Sequence, residues 1–277
     1  MGVAIGMLLP AFGGLAVFVG LPVLYLLYLS LTDGHLTMAG VRWVGWAHYG
    51  RLLTNPDFWQ VATNTAVFTV FTVGPGLALA LALAIALDRP LRGRGLLRSL
   101  YFLPSVVSVV AAGLGWRWLV QPDGIINRGL GWQVAWLGQP GTAMAVLVVV
   151  SVWQQLGFNL VVFLAGLQAI PASRYEAASL DGAGPWQQFR WVTWPGLRPT
   201  TAFATVSTVI FTLRSFEQVY VLTGGGPLNS TNLLVYYTYE QAFGLFDFGY
   251  GAAAAMVLLA IAVGGTLGWR RWWQGAD

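Results

Sequence analysis

Long charge-free apolar stretches recur along the chain, at residues 3–31, 65–87, 99–116, 142–168 and 248–269. One further apolar run, 200–222, lies between the last two and is interrupted by Arg214 and Glu217. An α-helix rises about 1.5 Å per residue, so roughly 20 residues cross a hydrocarbon core of about 30 Å. The pattern predicts an all-α membrane protein with six transmembrane helices, at about 3–31, 65–87, 99–120, 142–168, 200–222 and 248–269. It forms one transmembrane domain over 1–277, because nothing between the spans is long enough for a soluble domain. The first run is too long for a signal-peptide core and lacks a basic leader, so it reads as a retained helix. Pro10, Pro22, Gly74, Pro75, Gly76 and Pro104 fall inside spans, as kinks and close packing sites or as hinges.

Composition sharpens this picture. Apolar residues make up 57% of the chain and charged residues only 9%, against about 25% in soluble domains. All 14 basic residues are arginine, giving a net charge of +4. They lie between apolar runs rather than in one patch, which argues against nucleic-acid binding. Alternate loops differ sharply. Arg89, Arg92, Arg94, Arg98, Arg174, Arg190, Arg198, Arg270 and Arg271 fall on one side and only Arg42, Arg51 and Arg128 on the other. Basic loops stay cytoplasmic, so both termini are expected on the cytoplasmic side of an inner membrane. Trp43, Trp46, Trp59, Trp116, Trp118, Trp132, Trp136, Trp269, Trp272 and Trp273 cluster near span ends, as an interfacial belt against lipid would place them.

Several chemistries are excluded. The absence of cysteine removes disulfides, thiolate metal sites and cysteine nucleophiles. A phosphate-binding P-loop needs a lysine, and there is none. His35 and His48 share one loop with Asp33 and Asp57 nearby, but at no metal or triad spacing, so a solvated loop is expected.

The cytoplasmic stretch 170–199, IPASRYEAASLDGAGPWQQFRWVTWPGLRP, reads as two short helices. Ser173 and Glu176 have the S-x-x-E spacing of a capping box, which starts a helix after Ser173. Asp181-Gly182 ends it, glycine taking the left-handed conformation. A second helix begins near Pro185 and ends before Pro195. The small residues Ala177, Ala178 and Ser179 form a narrow ridge that either inserts into a partner's groove or is plain surface.

These residues carry a resemblance. Glu176-Ala177-Ala178, Asp181-Gly182-Ala183, Phe189, Val192, Pro195, Leu197 and Pro199 resemble the EAA loop of ABC-importer permeases in its carbohydrate-uptake form. Asn64-Thr65, Phe102-Leu103-Pro104, Leu164 to Leu167 and Leu222 to Pro227 extend the similarity over most of the chain. Val192 and Trp194 replace the usual Ile and Leu. The chain is similar to the compact sugar and glycerol phosphate permeases rather than to the maltose version, with its extra amino-terminal span and large insertion. The resemblance implies a type I ABC-importer permease fold, a second homologous permease subunit, two ATPase subunits and an extracytoplasmic solute-binding protein. It implies that Glu176, Ala177, Ala178, Ser179, Asp181, Gly182 and Ala183 form the ATPase-coupling helix. No cofactor is then expected in this chain; ATP and Mg belong to the partner ATPase subunits, and transport proceeds by alternating access.

Polar residues inside spans face protein or water. The fourth span carries Trp153, Gln154, Gln155 and Asn159, and the fifth Arg214, Ser215, Glu217 and Gln218. Trp153, Gln155, Asn159, Arg214, Glu217 and Gln218 are candidates for the solute path. Arg214 and Glu217, three apart on one helix, can instead pair structurally or touch a partner subunit. The extracytoplasmic loops, including the glycine-rich Thr223 to Thr231, suit docking of a soluble partner. Three functions compete: an importer for sugars or oligosaccharides, one for glycerol 3-phosphate or glycerophosphodiesters, and an ion-coupled secondary transporter that would use Arg214 and Glu217. A membrane enzyme has no constellation to support it.

Overall fold

The computed structural model describes residues 2–33, 42–89 and 93–274, with side chains for 8–33, 42–89 and 93–268. His35 and Arg92, and the side chains of Trp269, Arg270, Arg271, Trp272 and Trp273, lie outside the described residues. Four helices among those described are long and apolar enough to cross a membrane: Leu8–Ser30, Pro56–Asp88, Pro140–Gln168 and Phe248–Gly268. The chain divides into two compact units, one reaching Ala62 and including Leu234–Gly265, the other Thr63–Leu233 with Thr266 onward.

In the first unit, α1 (Gly2–Leu15) and α2 (Leu21–Ser30) are joined by a π turn, Ala16–Gly20. Pro22 cannot donate to the carbonyl four residues back, and the wider turn just before it absorbs the misfit. Large apolar side chains of this span, Phe12 and Phe18 among them, point outward, as lipid-facing residues do. Thr32–Asp33 pairs antiparallel with Arg42–Trp43, and α3 (Ala47–Thr54) follows. His48 is buried, its Nε2 3.1 Å from the carbonyl of Thr32. That corrects the expectation of a solvated loop: the ring fills the space left by Gly249, where any Cβ would strike it. Leu52, Phe58 and Val61 pack with Leu234 and Tyr237 of α14 (Leu234–Tyr239) and with Tyr250, Ala253 and Ala254 of α15 (Phe248–Gln274). Asn55 Nδ2 donates to the hydroxyls of Tyr250 and Tyr237 at 3.0 and 3.3 Å. Burial, then the bond to Tyr250, pushes the Tyr237 phenol far above its ordinary value. Arg51 pairs with Asp247 at 2.9 Å and lies over the Tyr250 ring.

The helix α4 (Pro56–Asp88) starts nine residues earlier than the apolar run suggests. Asn55 Oδ1 accepts the Asp57 N–H at 2.9 Å, and Pro56 takes the first helical position, so a cap extends the helix beyond its hydrophobic stretch. Pro75 lies within this helix, which continues through it.

In the second unit, Val73, Leu77, Ala80, Ala84 and Leu87 recur at three- and four-residue spacing and form one cluster with Leu160, Phe163, Leu164 and Leu167. The latter belong to α8 (Pro140–Gln168). The third predicted span is not one rod. It is α5 (Arg94–Val106) and α6 (Val109–Leu119), bent by 97° where Val107 and Ser108 become extended. A short α7 (Ile125–Leu130) follows. Asn127, buried, donates to the carbonyls of Pro122 and Val134 and accepts the Trp136 indole N–H, closing this outer loop.

The remaining helices are α9 (Ala172–Leu180), α10 (Pro185–Gln188), α11 (Trp194–Gly196), α12 (Arg198–Leu213) and α13 (Phe216–Leu222). The fifth predicted span is thus α12 plus α13, broken at Arg214–Ser215 with Ser215 at φ −75°, ψ 53°. All six predicted stretches are helical, but these two are interrupted.

Candidate functional site

The stretch after α8 forms the predicted helix-turn-helix, with different ends. The helix α9 begins at Ala172 behind Pro171 (φ −58°, ψ 132°), and no side chain caps it. The capping box is therefore not formed, because the helix starts ahead of Ser173, which already sits inside it rather than at the cap position. The stop at Gly182 forms as expected. Its φ is +80°, and the N–H groups of Gly182 and Ala183 reach back to the carbonyls of Ser179 and Ala178 at 3.0 and 2.9 Å, a Schellman closure. Pro185 opens the second helix, where Gln187 Oε1 accepts the Gly184 N–H at 2.7 Å. This helix does not stop before Pro195. A π turn, Phe189–Thr193, carries it through to Gly196, again spacing out the turn before a proline that cannot donate.

The hairpin is tied at its base and open at its tip. Tyr175 Oη lies 3.0 Å from Thr193 Oγ1, and Gln188 Nε2 donates to Ser179 Oγ at 2.9 Å and to the Ala183 carbonyl. No residue of α9 is buried. Glu176, Ala177, Ser179, Asp181 and Gly182 are exposed, Ala178 and Ala183 half-buried, and Leu180 is 90% exposed.

A cavity of about 420 Å³ opens where the interrupted spans meet α8. Its walls are Phe102, Ser105 and Val109 beside the bend, Gln154, Gln155 and Phe158 on α8, and Phe211, Arg214, Ser215, Glu217 and Gln218 around the break. Phe158 and Phe211 meet edge to face, with ring centroids 5.6 Å apart. Arg214 and Glu217 are both exposed into this space. They form no ion pair with each other, because the break at Ser215 destroys the i, i+3 register that would let them meet. Gln155 Oε1 is buried without a hydrogen-bond partner.

The other predicted residues fall differently. Gln218 lines the cavity, but its amide is already engaged with Ser151 and Gln154. Asn159 is buried behind the wall, accepting from Thr208 Oγ1 at 3.1 Å. Trp153 stacks edge to face on Trp116 at 5.7 Å and is not among the lining residues. Sequence reasoning missed Ser105, Val109, Phe158 and Phe211 as lining groups.

A multi-pass helical membrane protein, with a cavity of mixed polar and aromatic lining at two interrupted spans and a bare helical hairpin, has the features of a solute permease. Its family follows from comparison. Residues 76–268 match the family described as binding-protein-dependent transport system inner membrane component. The lactose transport system permease protein LacF of Rhizobium radiobacter is 37% identical, covering 92% of this chain and 88% of its own. The trehalose/maltose transport system permease protein MalF of Thermococcus litoralis is 32% identical over 94% and 90%. A chain of a solved bacterial ABC transporter involved in the import of the acidic polysaccharide alginate superposes with a TM-score of 0.84 at 22% identity, covering 98% and 95%. The chain belongs to the binding-protein-dependent inner membrane component family, and its fold is that of the type I ABC-importer permeases.

Proposed function

We propose that this chain is the permease subunit through which an uncharged sugar or oligosaccharide crosses the inner membrane by alternating access. ATP hydrolysis, with its Mg, takes place in two partner ATPase subunits, since a chain without lysine has no P-loop of its own. A second homologous permease completes the pore, and an extracytoplasmic binding protein delivers the solute. Glu176 to Ala183 forms the coupling helix, with Leu180 at its tip, on the cytoplasmic side together with both termini. The arginine asymmetry supports that orientation.

The observation that carries the solute class is the balance of the cavity wall. Phe102, Phe158 and Phe211 offer ring faces and edges to the C–H faces of a sugar. Arg214 supplies donors, while Glu217 supplies acceptors. One cation and one acid on the same wall suit a neutral polyhydroxyl solute, and Glu217 opposes a phosphate dianion. Among relatives, the lactose and trehalose/maltose permeases are named for such solutes.

The test is hydrolysis by the complete complex in liposomes across neutral oligosaccharides, polyols, oligouronates and glycerophosphodiesters. Stimulation by a neutral sugar is expected. Stimulation by glycerol 3-phosphate or its diesters alone would sink the proposal.

A further inference from the structure

Both interrupted spans are fastened to the same uninterrupted helix by one residue. Gln154, buried on α8, accepts a bond from Ser105 Oγ to its backbone carbonyl at 2.8 Å, three residues before the 97° bend of α5 and α6 ends. Its side-chain Nε2 points at the carbonyl of Val107, 3.4 Å away, at the bend itself. Its Oε1 accepts Gln218 Nε2 at 2.7 Å, and Gln218 Oε1 accepts Ser151 Oγ at 2.7 Å. Gln218 is buried in α13, four residues past the break at Arg214. The backbone of α5 also sits directly on α8: a Cβ at Gly157 would lie 2.5 Å from the Tyr101 carbonyl oxygen and 2.6 Å from Phe102 Cα.

Breaks leave backbone carbonyls without helical partners and make the chain easiest to move there. Two breaks that moved independently would disorder the wall they share. Gln154 ties one to the other: its bond to Gln218 is short and buried, where amide pairs are strongest and their loss is most costly, and its bond to the Val107 carbonyl is longer and part-buried. On the other side of the break, α12 starts one residue beyond the cytoplasmic hairpin, with only Leu197 between Gly196 and Arg198. The pull on the hairpin therefore enters α12, and Gln154 holds α13 just across the break from its far end.

We infer that Gln154 is a positioning residue that locks the bend at Val107 and the break at Arg214 to α8, so that movement of the hairpin reaches the cavity as one displacement. It touches no solute in this role. The inference rests on the ATP-driven importer proposed above.

The experiment compares the complete importer carrying Gln154→Leu, Gln218→Leu or both, measuring complex yield, melting temperature, ATP hydrolysis and solute uptake in the same liposomes. Each single substitution strands an amide and should lower the melting temperature. The double substitution removes both and should restore it. In the double variant solute moved per ATP hydrolysed falls by about fivefold or more, the low end of typical coupling between sites, and does so at saturating solute, where a lost wall contact would raise only the solute concentration required. Gln154→Glu keeps the bond from Gln218 but loses the donor to the Val107 carbonyl, so it should recover the ratio only in part. A double variant with the wild-type ratio overturns the inference, and so does one that fails to assemble, since the pair then serves only the fold. Failure of the unsubstituted complex to couple uptake to ATP instead overturns the functional proposal.

Discussion

Position 157 admits no side chain, because the backbone of α5 occupies the place of its Cβ. Gly157→Val must push α5 from α8, and overpacking of this kind costs about 1–3 kcal/mol; a lowered melting temperature of the detergent-solubilised chain is the expected readout, and an unchanged one would deny the close approach. At this scale the sequence was partly readable. Gln155, Arg214, Glu217 and Gln218 stood out because polar groups inside apolar runs are rare, and the cavity gathers all four. Asn159 looked the same in the sequence but bonds Thr208 inside the wall. Which side of a helix faces neighbours and which faces a cavity depends on packing that no local pattern encodes. The phenylalanines Phe158 and Phe211 were invisible for the opposite reason, as apolar residues in an apolar run.

The elements were legible in type and less so in continuity, since four helices among those described are long and apolar enough to span by themselves. The Asn55-Pro56-Asp57 cap was there to be read and sets the true start of α4. The 97° bend at Val107 and Ser108 was not, since SVVSVV continues the apolar run without a charge or glycine. Pro22 and Pro195 misled differently: each was compatible with a stop or a kink, and in both places a π turn let the helix pass. The hairpin 170–199 makes a sharp prediction. Leu180 is 90% exposed and touches no core, so Leu180→Asp should leave the melting temperature within the small range typical of surface changes. The same substitution should weaken capture of the ATPase subunits by about tenfold, as removal of a central apolar anchor does. Unaltered capture would show that the tip is not the contact. Gly182→Val, by forcing a β-branched residue to φ +80°, should cost about 1–2 kcal/mol and loosen the same contact through the turn.

The arginine asymmetry predicts one orientation for the whole molecule, and the chain's lack of cysteine gives a clean way to test it. Single cysteines at Leu180 and Leu228, 90% and 83% exposed, should react with a membrane-impermeant maleimide from opposite sides. Leu228 should label in intact spheroplasts and Leu180 only in inverted vesicles; labelling of both from one side would reverse or break the topology. Composition and the length of the apolar runs carried the multi-pass membrane reading, because the membrane imposes length rules that tertiary packing cannot override. The central claim is that solute movement through this chain is driven by ATP bound elsewhere. Its most direct test is uptake of a radiolabelled neutral oligosaccharide into proteoliposomes holding the chain, its partner permease, the ATPase subunits and the binding protein, with ionophores present to collapse every gradient. Uptake that requires ATP and the binding protein and survives the ionophores is the predicted result. Uptake by this chain alone, driven by an ion gradient and indifferent to ATP, would contradict it.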